Sequence, residues 1–309
     1  MRYSFLGSTG LKVSELCLGA TEFGGSTPAD EARRIWARCL DAGVNFVDTA
    51  DFSPESERLL GEWIGDRRDQ LVISTKVFRR TGPGPNQLGL SRKHIVQSCE
   101  ASLRRLKTEY IDLYFAHSDD FLTPLEETLG AFDQLVRQGK VLYLGASNYT
   151  AWRLNEALWT AQGNGWARYC CVQALYNLHQ RDIEAELLPM CAHKGLGAIA
   201  WSPLARGALT DAKAGREAAP AAVDAALAQV AAQLGRPRAQ VALRWALNRV
   251  GMNAVAMGPS SLAQAEENLG ACDLELDAGQ MAALDAAGAP RRPYPANLEP
   301  LARALRNDD

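Results

Sequence analysis

The chain has 309 residues, 47% of them hydrophobic and 22% charged, with 33 Lys and Arg against 36 Asp and Glu for a formal charge of −3. That length fits one large α/β barrel or two ordinary domains, and the balanced, interspersed charges offer no basic field for nucleic acid or anionic lipid. No run approaches the roughly 18 apolar residues of a membrane span, the N-terminal MRYSFLGSTGLKVSELCLG lacks the pattern of an export signal, and seven cysteines without a CxxC pair suit a reducing cytoplasm. Cys17 and Cys170–Cys171 sit in apolar runs as small core residues, and four scattered histidines make no zinc-ligand set, so no metal is expected.

In chain order, LCLGA at 16–20 predicts a first strand, followed by a helix from Pro28 to a stop at Gly43. NFVDTA at 45–50 is the second strand and runs through the short polar loop DFSP into a helix. LVISTK at 71–76 is the third. After the loop RRTGPGPNQLGL comes a helix capped by Ser91, with Ile95, Cys99, Ser102, Leu103 and Leu106 largely on one face. IDLYFAH at 111–117 leads to a helix opening on Thr123 and Pro124 and stopping at Gly139. Strands at 141–147, 170–176, 196–202 and 253–258 complete eight. Helices are expected at 151–161, 181–194, 223–234, 238–248, 261–269 and 277–287, with an Ala-rich stretch over 217–232.

Most of the strands are apolar on successive positions, as parallel strands covered on both faces must be. Eight strand–helix units predict an α/β fold, a (β/α)8 TIM barrel spanning residues 1–309 as a single domain. The alternative, a doubly wound sheet, would need GxGxxG or GxxxxGK[ST] after an early strand, and neither occurs.

Barrel chemistry comes from the C-terminal ends of strands. Read in order, those ends carry Asp48, Lys76, His117, Ser147 with Asn148, Gln173 and Trp201, then the loop after Gly258. A carboxylate and an ammonium stabilise each other in a partly dry pocket, and an imidazole there can donate to a carbonyl oxygen gaining charge. Ser147, Asn148 and Gln173 suit a planar carboxamide, and Trp201 offers a flat face. GPSSLAQAEENLG places Gly258, Ser260 and Ser261 before a helix, where free N–H groups could meet an anion or the hydroxyls could simply cap the helix.

The ordered series RYSFLGSTGLKVSELCLGA, GVNFVDTA, SERLLG, VISTKV, SLRRLKTEYIDLYFAH, TPLEETLGAFDQLVRQGKVLYLGASN, VQALYNL, IAWSPLARGALT, AQVALRWAL and AEENLGA resembles the aldo-keto reductases over nearly the whole chain. The resemblance implies NAD(P)H-dependent reduction of a small-molecule carbonyl, or oxidation of an alcohol, by a tetrad of Asp, Tyr, Lys and His. Asp48, Lys76 and His117 match three of the four. It likewise implies that Ser147, Asn148 and Gln173 hold the nicotinamide carboxamide and that Trp201 stacks on the ring. Ser202, Leu204 and Arg206 would follow the pyrophosphate. Gly258, Ser260, Gln264, Glu267 and Asn268 would embrace the adenosine part.

One departure is local and large. The family pattern DTAxxYGxGxSE reads DTADFSPESE here, which puts Ser53 in place of the tyrosine and shortens the loop by two residues. A serine hydroxyl is shorter in reach and far less acidic than a phenol. Three readings follow: an active oxidoreductase whose proton comes from His117, a Lys76-bound water, Tyr149 or Tyr294; a catalytically impaired nicotinamide-binding or regulatory protein; and a nonredox lyase or isomerase using Lys76 as an amine nucleophile. The resemblance puts NADP(H) first. Gln264, standing where many members carry arginine, leans toward NAD(H). Phe52, Trp152 or Trp166 with Asp119 would suit a cyclic or hydroxylated substrate, and Arg79 and Arg80 an anionic one.

Overall fold

The computed structural model describes residues 1–212, 218–290 and 293–298. The chain opens with an antiparallel hairpin, β1 (Tyr3–Phe5) and β2 (Lys12–Ser14). Then come β3 (Leu16–Gly19), α1 (Ala29–Asp41), β4 (Phe46–Asp48), α2 (Pro54–Trp63), β5 (Val72–Val77), α3 (Arg92–Leu106), β6 (Ile111–Ala116) and α4 (Leu125–Arg137). The second half comprises β7 (Val141–Ser147), α5 (Ala151–Gly163), β8 (Tyr169–Leu175), α6 (Leu187–Lys194), β9 (Gly197–Trp201), α7 (Ala221–Leu234), α8 (Arg238–Leu247), β10 (Met252–Met257), α9 (Leu262–Leu269) and α10 (Ala278–Ala287). Strands β3 to β10 are parallel neighbours in sequence order, and β10 closes on β3. The fold is a (β/α)8 barrel with its eight strands where the sequence placed them, to within two residues at each end.

Apolar residues on both faces of each strand produce two cores. The larger lies between the strands and the helical ring. The smaller fills the barrel interior with Phe46, Leu113, Phe115, Cys171 and Ile199. The Phe115 ring lies against Gly145 on the next strand, so close that a Cβ there would fall 2.3 Å from it. Leu6 and Val13 of the hairpin join this inner core and plug the N-terminal end. Gly7 makes that plug possible: its φ is +56°, and a Cβ would stand 2.4 Å from the Gly197 nitrogen. With the hairpin across its bottom, the barrel opens a cavity at the C-terminal ends of its strands.

Two expected helices are shorter than their patterns. Over 181–194 the chain makes a 3₁₀ turn at Asp182–Glu184 before α6 begins. Pro189 lacks an N–H and its ring crowds the preceding turn, which stops α6 from extending upstream. The helix after Ser91 ends at Leu106, where Lys107 adopts φ +52° as its cap. Ser91 does cap that helix, accepting from the His94 N–H at 3.3 Å. Of the Ala-rich 217–232 stretch, residue 217 lies outside the described residues.

Candidate active site

Asp48 ends β4 and Lys76 lies on the adjacent β5. Lys76 Nζ donates to Asp48 Oδ2 at 2.5 Å and to the Thr49 carbonyl at 2.8 Å. Ser74 Oγ donates to Asp48 Oδ1 at 2.6 Å. Both charged side chains are under a tenth exposed, so their pairing offsets part of the cost of taking them out of water. Ser74 was not singled out in sequence, although its position two residues before Lys76 places it on the same strand face.

His117 follows β6, its backbone N–H held by the Val77 carbonyl at 2.9 Å. Burial first, then the charges of Lys76 and Arg79, lower its pKa from 6.5 to about 3. The imidazole is therefore neutral at physiological pH and able to donate a hydrogen bond. Its ring centroid lies 5.5 Å from that of Phe52.

The loop between β4 and α2 is pinned at its α2 end. Ser56 Oγ donates to the Ala20 carbonyl at 2.7 Å, and Glu57 accepts from Thr75 Oγ1 and Arg105 Nε, each at 2.6 Å. Across this short span Phe52 faces the cavity at the barrel mouth, whereas Ser53 becomes the N-cap position of α2 and lies outside the cavity lining. Beneath the loop, Asp51 is buried. Burial, reinforced by the Glu57 charge, raises its carboxyl to about 7 against the opposing pull of Ser98 and Arg105.

The strand ends beyond His117 are tied together by Asn148. Its Nδ2 donates to the His117 carbonyl at 2.9 Å and to Ser147 Oγ at 3.0 Å, and its Oδ1 accepts from Trp201 Nε1 at 3.0 Å. Asn148 thus organises the site more than it offers free donors. Gln173 is the contrasting case: its Nε2 is buried without a hydrogen-bond partner. Ser202, Ala205 and Arg206 all adopt left-handed backbone, with φ between 47° and 53°. For non-glycine residues that conformation is costly and concentrates at functional sites.

One cavity of about 620 Å³ joins these groups, a size typical of small-molecule and cofactor sites. Its lining contains Asp48, Lys76, His117, Ser147, Asn148, Gln173, Trp201, Ser202, Leu204, Arg206, Gly258, Ser260, Gln264, Glu267 and Asn268. Thr21, Glu22, Thr210 and Asp211 also line it; they lie in loops after strands and carried no sequence signal of their own.

Several expectations are corrected by packing. No tyrosine lines the cavity among the described residues. Tyr149 is buried against Tyr169, with ring centroids 5.8 Å apart, and Tyr294 is 81% exposed. Trp152, Trp166 and Asp119 lie outside the lining as well. Trp152 faces solvent, and Asp119 is committed to Arg153 Nε at 3.2 Å.

Within 258–270 the hydroxyls and side chains do cap the helix, and three of its N-terminal donors are paired. The Gln264 N–H is taken by Ser261 Oγ at 3.3 Å, Ser260 N–H by Gln264 Oε1 at 2.9 Å, and Leu262 N–H by the Glu31 carboxylate at 2.6 Å. These donors already have partners, one of them an acid.

Residues 15–289 match the aldo/keto reductase family model. The chain belongs to the aldo/keto reductase family. It is 37% identical, over a 302-residue alignment covering 90% of this chain and 93% of that protein, to the uncharacterized oxidoreductase YrpG of Bacillus subtilis. A probable voltage-gated potassium channel subunit beta of Arabidopsis thaliana is 37% identical, with 89% and 92% covered. Norsolorinic acid reductase stcV of Emericella nidulans is 35% identical, with 86% and 76% covered. Family membership makes this an NAD(P)H-dependent oxidoreductase scaffold for small-molecule carbonyl substrates. No described helix is long and apolar enough to cross a membrane.

Proposed function

We propose that the protein reduces an aldehyde or ketone, or oxidises the corresponding alcohol, with a proton donor other than the family phenol. The observation that carries this reading is the buried Asp48–Lys76 pair opening into the same cavity as His117, Ser147, Asn148, Gln173 and Trp201. The lining suits a nicotinamide dinucleotide, because Gln173 Nε2 is an unpartnered buried donor of the kind a carboxamide oxygen satisfies. Bound NAD(P)H supplies the hydride that reduces the carbonyl carbon. Ser147 and Gln173 would hold the carboxamide, Trp201 the ring, and Ser202, Leu204 and Arg206 the pyrophosphate. Gly258, Ser260, Gln264, Glu267 and Asn268 would line the adenosine end.

The chain's own part is electrostatic. His117, neutral, donates to the carbonyl oxygen as negative charge develops, and the Lys76 ammonium favours that charge from below. Ser53 contributes nothing directly from its place at the α2 N-cap. The proton comes from water held at the mouth, with His117 and Lys76 orienting it. A lysine whose N–H groups already serve Asp48 and the Thr49 carbonyl is poorly placed as a nucleophile, which disfavours the lyase reading.

The test is Phe52→Tyr. It places a phenol on the side chain that neighbours the His117 ring, where Ser53→Tyr would place it at the helix cap. General acids contribute about 10²–10⁴-fold, so Phe52→Tyr should raise kcat for 4-nitrobenzaldehyde by at least about tenfold. A fall in kcat would mean that Phe52 packing, not the missing acid, limits turnover. A second reading, a cofactor-binding regulatory subunit, draws support from the absence of any phenol in the described lining and from the channel-subunit relatives. Tight NAD(P)H binding with no single-turnover hydride transfer to any aldehyde in a broad panel would favour it.

For the cofactor, the adenosine end favours NAD(H) over the NADP(H) that the resemblance puts first. A 2′-phosphate needs a cation or free donors. The described lining there has acidic Asp211 and Glu267, and Glu31 already occupies an amide of the α9 N-terminus. Fluorescence titration should give NADH a Kd at least about fivefold below that of NADPH; the reverse order would restore NADP(H).

A further inference from the structure

The two arginines that follow β5 differ sharply in what their charges do. Arg80 is absorbed by its own loop, with Nη1 donating to the carbonyls of Gly82 and Gly84 at 3.2 Å each. Arg79 lines the cavity, and its guanidinium lies 4.6 Å from the Phe52 ring centroid, within cation–π range. It takes part in none of the ion pairs among the described residues. Glu22, another charged residue of the lining, accepts from Ser26 Oγ at 2.5 Å and makes no ion pair with Arg79.

The segment carrying Arg79 is anchored. Gly89 N–H donates to the Phe78 carbonyl at 2.8 Å, and Leu90 N–H to Asp120 Oδ2 at 2.7 Å. Phe52 restrains the guanidinium by its face and leaves the N–H groups at its edge without acceptors among the described residues. A planar fork held this way matches a carboxylate or phosphoryl group geometrically. The Phe52 ring in turn neighbours His117, where the carbonyl is to react. A ring or short chain against Phe52 would therefore put its carbonyl toward His117 and an anionic end toward Arg79.

From this arrangement we infer that Arg79 is a specificity-determining residue for carbonyl substrates bearing a carboxylate or phosphate group. The inference rests on the oxidoreductase reading above and names its substrate class. The exposed position of Arg79 keeps water access, so its contribution should appear in discrimination between substrates and in KM.

The test compares kcat/KM for 4-carboxybenzaldehyde with benzaldehyde, and for glyceraldehyde 3-phosphate with glyceraldehyde, in the intact chain, Arg79→Gln and Arg79→Lys. A charge-assisted hydrogen bond corresponds to about a 10- to 100-fold effect. The anionic-to-neutral ratio should fall by that factor in Arg79→Gln, through KM, and recover in part in Arg79→Lys. The pair showing the larger fall identifies carboxylate or phosphate as the preferred group. An unchanged ratio in both pairs overturns the inference. Should no aldehyde be reduced while NADH still binds, the oxidoreductase reading fails instead. Calorimetric binding of 4-carboxybenzaldehyde to the protein–NAD⁺ complex then decides: weakening by Arg79→Gln supports Arg79 recognition, and equal affinity overturns it.

Discussion

Lys76→Met should lower kcat/KM by about 10³-fold or more, within the range of removing a preorganised charge at a developing oxyanion, while leaving the Kd for NADH within about threefold. In the proposed mechanism the ammonium favours the charge that develops on the substrate oxygen, and Met fills similar volume without it. The substitution also has a folding consequence. Asp48 would keep only Ser74 Oγ as a donor in a site that is almost wholly buried, and breaking one side of such a pair costs about 3–5 kcal/mol. The double variant Asp48→Asn, Lys76→Met removes both charges. It should recover much of the lost stability in thermal melts and none of the activity. Unchanged turnover in Lys76→Met would remove Lys76 from the mechanism. Equal melting temperatures for the single and double variants would show that the pair is not coupled.

The pH dependence should carry two signatures of opposite sign. His117 has its folded pKa lowered from 6.5 to about 3. The folded state therefore binds fewer protons than the unfolded chain between those values, and the stability it contributes is present above pH 6.5 and lost as pH falls toward 3. Asp51 is raised from 3.8 to about 7. Its contribution is complete below pH 3.8 and lost as pH rises through 7. In activity, a neutral His117 gives no break near pH 6.5. Any break in kcat/KM near pH 7 belongs to Asp51 beneath the Phe52 loop, and Asp51→Asn should abolish it. His117→Ala should lower kcat about 10²–10³-fold without moving that break. A break near 6.5 that persists in Asp51→Asn and vanishes in His117→Ala would show that the imidazole titrates as an acid after all.

Much of this was legible along the chain. Parallel strands buried on both faces read as continuous apolar runs, so eight of them stood out, and the ionisable residues Asp48, Lys76 and His117 at their ends marked the mouth. The β1–β2 hairpin was not legible, because three-residue strands are too short for any periodicity. The break before α6 was written in Pro189 but masked by the helical pattern around it. Ser74 carried a usable signal, sharing a strand face with Lys76. Glu31 did not. It sits in α1, and its bond to the Leu262 amide spans 231 residues of sequence.

The sequence by itself determined the barrel, the Asp–Lys–His series at its strand ends and the serine at position 53, because each follows from local pattern or from the identity of a single residue. Only the tertiary structure decided which side chain of that loop faces the mouth. With Ser56 and Glu57 pinning α2 to the barrel, the shortened loop turns Phe52 inward and leaves Ser53 at a helix cap. Only packing, likewise, set His117 neutral, placed Arg79 on the Phe52 ring and paired two amides at the α9 N-terminus with side chains. Protonation and availability depend on neighbours brought from distant strands, and linear spacing does not encode them.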